Sequence, residues 1–261
     1  MNISLKGKKA LVGGSSKGIG EAIARQLAES GASVTLMARN KERMKTIIDE
    51  LSTDSGQEHH YLVVDFSNFD AFKGTISSFF EHNTIDILIN NTQGPEGGGA
   101  LEKNVEDYQR AFDLLFKSVV FTTELALKNM QKNGWGRIIN VASVSVKEPL
   151  SYLALSNTIR AAVVTWAKSL AFDVAQDGIT VNSVLTGYFD TDRIAQVNAK
   201  KAEKMGVPPE EVLSSMEDLI PAKRIGKPKE YGYLVTFLAS DQAAYITGTN
   251  IPIDGGLLKS L

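Results

Sequence analysis

The sequence predicts a doubly wound α/β fold, a sheet of seven parallel strands with helices on both faces. Short apolar runs alternate with stretches of helical periodicity, four times within the first 90 residues, and only short connections separate them. Parallel neighbours need a crossover, usually a helix, so this alternation specifies parallel strands buried on both faces. A chain of 261 residues with 43% hydrophobic residues supplies enough apolar surface for one core. No linker or shift in composition divides it, and residues 1–261 read as a single domain.

Residues 9–13 form the first strand. The chain then turns through Gly13, Gly14, Ser15, Ser16, Lys17 and Gly18 into a helix. On it Ile19, Ile23, Ala24 and Leu27 recur on one side until Ser30-Gly31-Ala32 stops it. Residues 33–38 make a second buried strand, residues 41–51 a helix, and residues 60–64 a third strand. Phe69, Phe72, Ile76, Phe79 and Phe80 give the next helix its apolar side, and residues 85–89 form a fourth strand. A long helix spans residues 105–132, a fifth strand 137–142, and another long helix 153–176. Small or apolar groups almost surround residues 161–167 of that helix, which points to a subunit contact. The sixth strand, 179–185, leads into the least regular part of the chain. There Val212, Leu213, Met216, Leu219 and Ile220 sit at helical spacing after Pro208-Pro209. A helical lid at about 187–227 is expected, beyond a strand's carboxyl end where ligand crevices open. A helix from Pro228 to about residue 240 and a strand at 250–253 close the chain.

The turn after the first strand carries the first functional signal. A helix begun there directs unpaired backbone N–H groups and a positive dipole end at the turn, which suits a phosphate. Glycines let that phosphate approach the backbone, although such a turn alone is a weak pattern. Composition narrows the possibilities. The 28 basic and 30 acidic residues are spread along the chain, so no basic face argues for nucleic acid or an anionic membrane. Cysteine is absent, which excludes disulfides, thiol nucleophiles and thiolate metal sites. His59, His60 and His82 lack metal-ligand spacing with carboxylates, so no metal is expected. The amino terminus lacks the apolar core of a signal peptide, and no run of about 18 apolar residues could span a bilayer. A soluble, cytoplasmic protein is expected. Gly97-Gly98-Gly99 after Pro95 reads as a flexible rim of the crevice, because no following Lys-Ser/Thr supports a second phosphate loop.

Further motifs follow in order. After Gly14-Ser15-Ser16-Lys17-Gly18-Ile19-Gly20, Asp65 closes the third strand and Asn90-Asn91-Thr92-Gln93-Gly94 follows the fourth. Arg137-Ile138-Ile139-Asn140-Val141-Ala142-Ser143 ends the fifth, and Ile179-Thr180-Val181-Asn182 opens the sixth. Ile246-Thr247-Gly248 through Asp254-Gly255-Gly256 closes the series. Together they resemble the short-chain dehydrogenase/reductase family, near its 3-oxoacyl-carrier-protein reductase branch, over nearly the whole chain. The resemblance implies a Rossmann-type fold, a homotetramer, and a dinucleotide held by Gly14, Ser16, Lys17, Gly18, Ile19, Gly20, Asp65, Asn91, Gly94, Gly187 and Thr191. Asp65 would contact the adenine and Thr191 the nicotinamide amide. Three departures accompany it: Gly13 stands where Thr is usual, Thr92 replaces Ala with Gln93 inserted, and Thr186 replaces a Pro.

Charge argues the choice of cofactor. An acidic residue ending the second strand would hold the ribose hydroxyls of NAD, whereas an Arg there accommodates the 2′-phosphate of NADP. Arg39 occupies that place, with Asn40 after it and no carboxylate before Glu42, and Lys17 adds a second cation from the turn. NADP(H) is expected, with NAD(H) the lesser alternative.

The resemblance also implies carbonyl chemistry. In the family a Tyr gives the proton, a Lys four residues later lowers its pKa and holds the ribose, a Ser orients the carbonyl, and an Asn supports a water relay. Ser143 keeps the serine, but Ser156 stands at the tyrosine, Arg160 at the lysine and Leu115 at the asparagine. Losing a general acid costs about 10²- to 10⁴-fold without abolishing hydride transfer from a well-placed cofactor. A serine hydroxyl is a far weaker acid than a phenol of pKa about 10 and reaches less far, leaving room for a water. Arg160 keeps the charge and donors for ribose hydroxyls, on a planar head. Ser156 with a water, Tyr152 or Tyr188 could pass the proton, and Arg193 is a candidate for an anionic substrate group. Two readings result. One is an atypical NADP-dependent reductase or dehydrogenase acting on a small-molecule carbonyl, alcohol or acyl-thioester substrate. The other is a catalytically inactive dinucleotide-binding sensor or oligomer partner.

Overall fold

The computed structural model describes residues 3–260. Its strands β1 (Lys9–Gly13), β2 (Ser33–Ala38), β3 (His60–Val63), β4 (Ile87–Asn90), β5 (Gly136–Val141), β6 (Ile179–Thr186) and β7 (Asn250–Ile253) form one sheet. Their order is β3-β2-β1-β4-β5-β6-β7, and every pairing is parallel. The order reverses between β1 and β4, and beyond the carboxyl ends of those strands a doubly wound sheet opens its crevice.

The helices are α1 (Gly18–Glu29), α2 (Lys41–Glu50), α3 (Phe69–His82), α4 (Val105–Phe112), α5 (Ser118–Asn133), α6 (Ala154–Val174), α7 (Asp192–Met205), α8 (Pro209–Leu219) and α9 (Pro228–Leu238). Two apolar clusters divide them between the faces. Ile23, Leu27, Met44, Ile47, Val235 and Leu238 bring α1, α2 and α9 to one side. Phe72, Ile76, Ala126, Met130, Leu155 and Ala167 bring α3, α5 and α6 to the other. Each large side chain buried this way contributes about 1.5–3 kcal/mol before entropy is counted. Of the apolar positions that the sequence assigns to α1, Ile23, Ala24 and Leu27 are buried and Ile19 is half-buried. α7 and α8 pack together as a hairpin between β6 and α9, built on the periodicity after Pro208-Pro209.

Two boundaries differ from expectation. The fourth strand begins and ends later than residues 85–89, because the Asp86 carboxylate turns inward to accept from the Lys9 N–H at 2.8 Å. Asn90 stays in register with Asn140, their side chains joined by a 2.9 Å hydrogen bond. The helix expected at 105–132 is broken by a π-helical turn, Asp113–Lys117, between α4 and α5. Ser118 Oγ donates to Leu114 O at 2.6 Å and Thr122 Oγ1 to Ser118 O at 2.8 Å, hydroxyls that compete for the helix carbonyls and open its ladder.

The start of α9 is fastened electrostatically. Glu230 accepts from the Lys227 N–H at 2.7 Å and from both terminal nitrogens of Arg224 at 2.8 and 2.7 Å. The Arg224 hydrogen bonds, then the backbone one, hold its carboxyl down at about 2 from the ordinary 4.5. Between those values the unfolded chain binds the extra proton, so this stabilisation is complete above pH 4.5 and is lost as the pH falls toward 2. The pair is solvent-screened, so Glu230→Gln should lower the melting temperature at neutral pH by about 2–4 °C, the equivalent of about 1 kcal/mol. Thermal unfolding followed by circular dichroism should show the difference shrinking across that acid window. A difference independent of pH would contradict the assignment.

Candidate active site

The turn after β1 is built by close approach. A side-chain carbon at Gly13 would lie 2.3 Å from Asn91 O, and one at Gly20 would lie 2.2 Å from Gly14 O. Neither backbone atom can move aside, so the departure from Thr at residue 13 is enforced by the end of β4. Asn91 Nδ2 donates to Gly13 O at 3.0 Å, bracing the turn from below. The buried Ser15 hydroxyl accepts from the Met37 N–H at 2.9 Å, tying the turn to β2. Ser15 escaped the sequence reading because nothing in a Ser-Ser pair says which hydroxyl turns inward. No side chain caps α1, so the N–H groups of its first turn point into the crevice. Ser16, Lys17, Gly18 and Ile19 lie along this edge.

Cations flank one end. Arg39 follows β2 on the surface and makes no hydrogen bond or ion pair within the described residues. Asn40 is taken up as the cap of α2, accepting from the Arg43 N–H. Asp65 lies beyond β3, its Oδ1 accepting from the Ser67 hydroxyl at 2.6 Å and the Ser67 N–H at 2.9 Å. Those bonds, with a smaller contribution from the nearby Arg39 charge, hold its carboxyl below the usual range. Lys17 Nζ lies 3.2 Å from Asp192 Oδ2, at the first residue of α7.

At the other end, Ser143 ends β5 and its Oγ accepts from the Ser145 N–H at 3.1 Å. Ser156 and Arg160, four residues apart near the start of α6, share one face of it, and Tyr152 lies in the turn just before the helix. The Arg160 guanidinium donates to Val141 O at 2.5 Å. It lines a small cleft with Leu115, Asn90, Asn140 and Thr92, about 280 Å³ of space open to solvent. Leu115 belongs to the π-helical turn, so the residues aligned with the family's Asn and Lys do meet. No carboxylate pairs with Arg160 among the described residues, and burial pulls its pKa down. Asn140 is 1% exposed, and its Nδ2 has no partner.

The two tyrosines proposed from sequence also meet. Burial first, then the neighbouring Tyr152 phenol, raises the Tyr188 phenol above its ordinary value of 10. Tyr152 is 47% exposed, so the pair runs from the crevice to solvent. The glycine run is not a flexible rim. Gly98 N–H donates to Tyr152 O at 2.7 Å and Ala154 N–H to Gly98 O at 3.1 Å, strapping the run to the entrance of α6. Side-chain carbons at Gly97 and Gly99 would stand in ordinary contact, 3.4 Å from Tyr152 O and Ser151 O, whereas Gly98 has a φ of +146° and a side-chain carbon there would fall 2.5 Å from Lys103 Cε.

The base of the lid closes the arrangement. Gly187 N–H donates to Ile253 O at 3.0 Å, and a side-chain carbon there would fall 2.7 Å from Asp254 Cα, so this glycine answers to packing against β7. Thr191 caps α7, and its methyl lies 3.3 Å from the position a side-chain carbon at Gly18 would take. Arg193 Nη2 donates to Pro95 O at 3.4 Å, so it links the lid to the rim. Gly94 stands in open space on that rim.

A family model described as enoyl-(acyl carrier protein) reductase matches residues 14–258. The chain belongs to the short-chain dehydrogenase/reductase family. It is 38% identical to oxidoreductase UcpA of Salmonella typhimurium, over 97% of this chain and 95% of that one. It is 30% identical to the 3-oxoacyl-[acyl-carrier-protein] reductase FabG of Aquifex aeolicus, over 98% and 100%. Among solved structures, L-sorbose reductase from Gluconobacter frateurii, complexed with NADPH and L-sorbose, superposes with a TM-score of 0.92 at 30% identity over the full length of both chains. Within this family fold, Ser143 stands at the carboxyl end of β5, and Ser156 and Arg160 stand on α6 where the family's Tyr and Lys are expected.

The turn geometry gives a direct test. Gly20→Ala should destabilise the chain by about 1–3 kcal/mol in denaturant unfolding, the usual cost of overpacking against atoms that cannot yield. Gly74→Ala, in open space on α3, should not destabilise it. Equal stability of the two variants would contradict the close packing of the turn.

Proposed function

We propose that this short-chain dehydrogenase/reductase binds NADP(H) and transfers hydride between the nicotinamide and a carbonyl or alcohol carbon of a small molecule, a ketone or an acyl thioester. The residues present fit the cofactor. The close-packed glycine turn aims an uncapped helix at the crevice, which suits phosphates, and Lys17 and Arg39 supply charge for a 2′-phosphate. Arg160 brings a half-buried guanidinium without a carboxylate, suited to ribose hydroxyls. Asp65, Asn91, Gly94, Gly187 and Thr191 border the same crevice. The NADPH named with the sorbose reductase supports this choice.

The buried Tyr188 phenol, in the loop that follows β6, carries the catalytic part of the reading, with Tyr152 near it. When bound, the reduced nicotinamide supplies the hydride. Ser143 donates a hydrogen bond to the carbonyl oxygen and holds it in place. Tyr188, kept protonated by burial, gives its proton to the oxygen as negative charge develops there, and Tyr152 returns one from solvent. Ser156 leaves room beside that oxygen and contributes a second hydroxyl. Arg193 holds the lid to the rim and can turn to an anionic substrate group. Exposed Phe172 on α6, with the small residues of that helix, supports assembly as a homotetramer.

NADPH oxidation should be followed with a panel of ketones and 3-oxoacyl thioesters. Tyr188→Phe should cost about 10²- to 10⁴-fold in kcat with NADPH affinity unchanged, and Tyr152→Phe less. Full activity in Tyr188→Phe would move the proton to Ser156 and a water. The loss of three of four family positions at Leu115, Ser156 and Arg160 favours a second reading, a non-catalytic NADP(H) binder. Tight binding without turnover on the whole panel would support it.

A further inference from the structure

α9 sends one polar group to the centre of the molecule. Tyr231 is fully buried, and its phenol oxygen lies 3.0 Å from Thr186 Oγ1 and 3.3 Å from Val184 O, to which it donates. Burial keeps this phenol protonated, so it retains a donor. Its ring meets Phe189 edge to face, with centroids 5.3 Å apart and planes at 75°. Thr186 ends β6 immediately before the loop 187–191, and Phe189 lies in the middle of that loop. The loop is also tied by backbone bonds, Gly187 N–H to Ile253 O, Gly226 N–H to Tyr188 O and Asp190 N–H to Gly226 O, and by the Thr191 hydroxyl, which donates to Phe189 O. Tyr231 therefore supports the loop from beneath at both its start and its middle.

The pairing also accounts for Thr186. Where the family resemblance expects a proline, this chain has a half-buried hydroxyl, which needs a hydrogen-bond partner where it is shielded from water. The phenol is that partner. The same phenol lies within electrostatic reach of Arg160. Arg160 donates to Val141 O and Tyr231 to Val184 O, and Val141 and Val184 are register partners across β5 and β6. One side chain from α9 thus touches the strand end that carries the loop and the Val184 carbonyl, whose register partner Val141 seats the guanidinium.

We infer that Tyr231, acting with Thr186, is a positioning residue for the nicotinamide end of the cofactor site, fixing the loop 187–191 and the seat of Arg160. The inference rests on the reading of the crevice as an NADP(H) site. Removing the phenol hydroxyl alone strands the Thr186 hydroxyl, and the loop must shift to satisfy it. Removing both hydroxyls leaves an apolar contact of nearly the same shape.

The test compares wild type, Tyr231→Phe, Thr186→Val and the double variant by NADPH titration, steady-state kinetics and thermal unfolding. Tyr231→Phe should raise the NADPH Kd and KM about tenfold with kcat within about twofold, a split that a loss of core packing would not produce. Thr186→Val, which leaves the phenol its bond to Val184 O, should cost less. The double variant should return to within about threefold of wild type, a non-additivity expected of directly coupled partners. An unchanged Kd in Tyr231→Phe, with only the melting temperature lowered, would overturn the inference, as would strictly additive effects in the double variant. Failure of the wild-type chain to bind NADPH would overturn the NADP(H) reading and this inference together. Tight wild-type binding with unaffected variants would overturn the inference alone.

Discussion

The carbonyl oxygen of Asn91 occupies the space that a side chain at residue 13 would need, and the site is organised around that close approach. It presses the end of β4 against the turn after β1, so residue 13 must be glycine. The Asn91 amide then holds Gly13 O, and Gly20 can sit against Gly14 O only without a side chain. The result aims α1 at the point where the strand order reverses, with its first N–H groups unspent. Binding follows from backbone geometry that few substitutions could preserve.

Charge is distributed differently along the crevice. Lys17 and Arg39 are surface cations whose interactions water and salt screen, and they can exchange partners cheaply. Arg160 is half-buried, lacks an acidic partner among the described residues, and lines one cleft with Asn140, whose amide nitrogen is unpaired. A partly desolvated charge gains from whatever completes its hydrogen bonds, so this end favours a ligand rich in acceptors. At the same end Ser156 and Arg160 stand on α6, and the phenols of residues 152 and 188 lie near one another.

Much of this was legible in the sequence because it is periodic or local. Apolar runs located the strands, the spacing of Ile23, Ala24 and Leu27 oriented α1, and the pattern from Val212 to Ile220 revealed α8. The glycine turn and the Ser-x-x-x-Arg replacement were visible as residue order. What escaped depends on contacts between distant segments. Strand β4 is displaced by Asp86 reaching back to Lys9, and the π-helical turn answers to hydroxyls at Ser118 and Thr122 that hydropathy does not register. The glycine run looked mobile because its partner, the backbone at residues 151–154, lies fifty residues away. Tyr231 escaped notice in the sequence, since its hydroxyl matters only once Thr186 is beside it.

The account stands most directly on the identity of the bound cofactor. Calorimetric titration of the purified chain with NADPH and with NADH, repeated on the Lys17→Ala, Arg39→Ala double variant, measures it. NADPH should bind at least about tenfold more tightly than NADH to the wild-type chain, and the preference should vanish in the double variant, which loses both cations placed for the 2′-phosphate. Equal affinities in the wild type, a preference for NADH, or no binding of either would contradict the account.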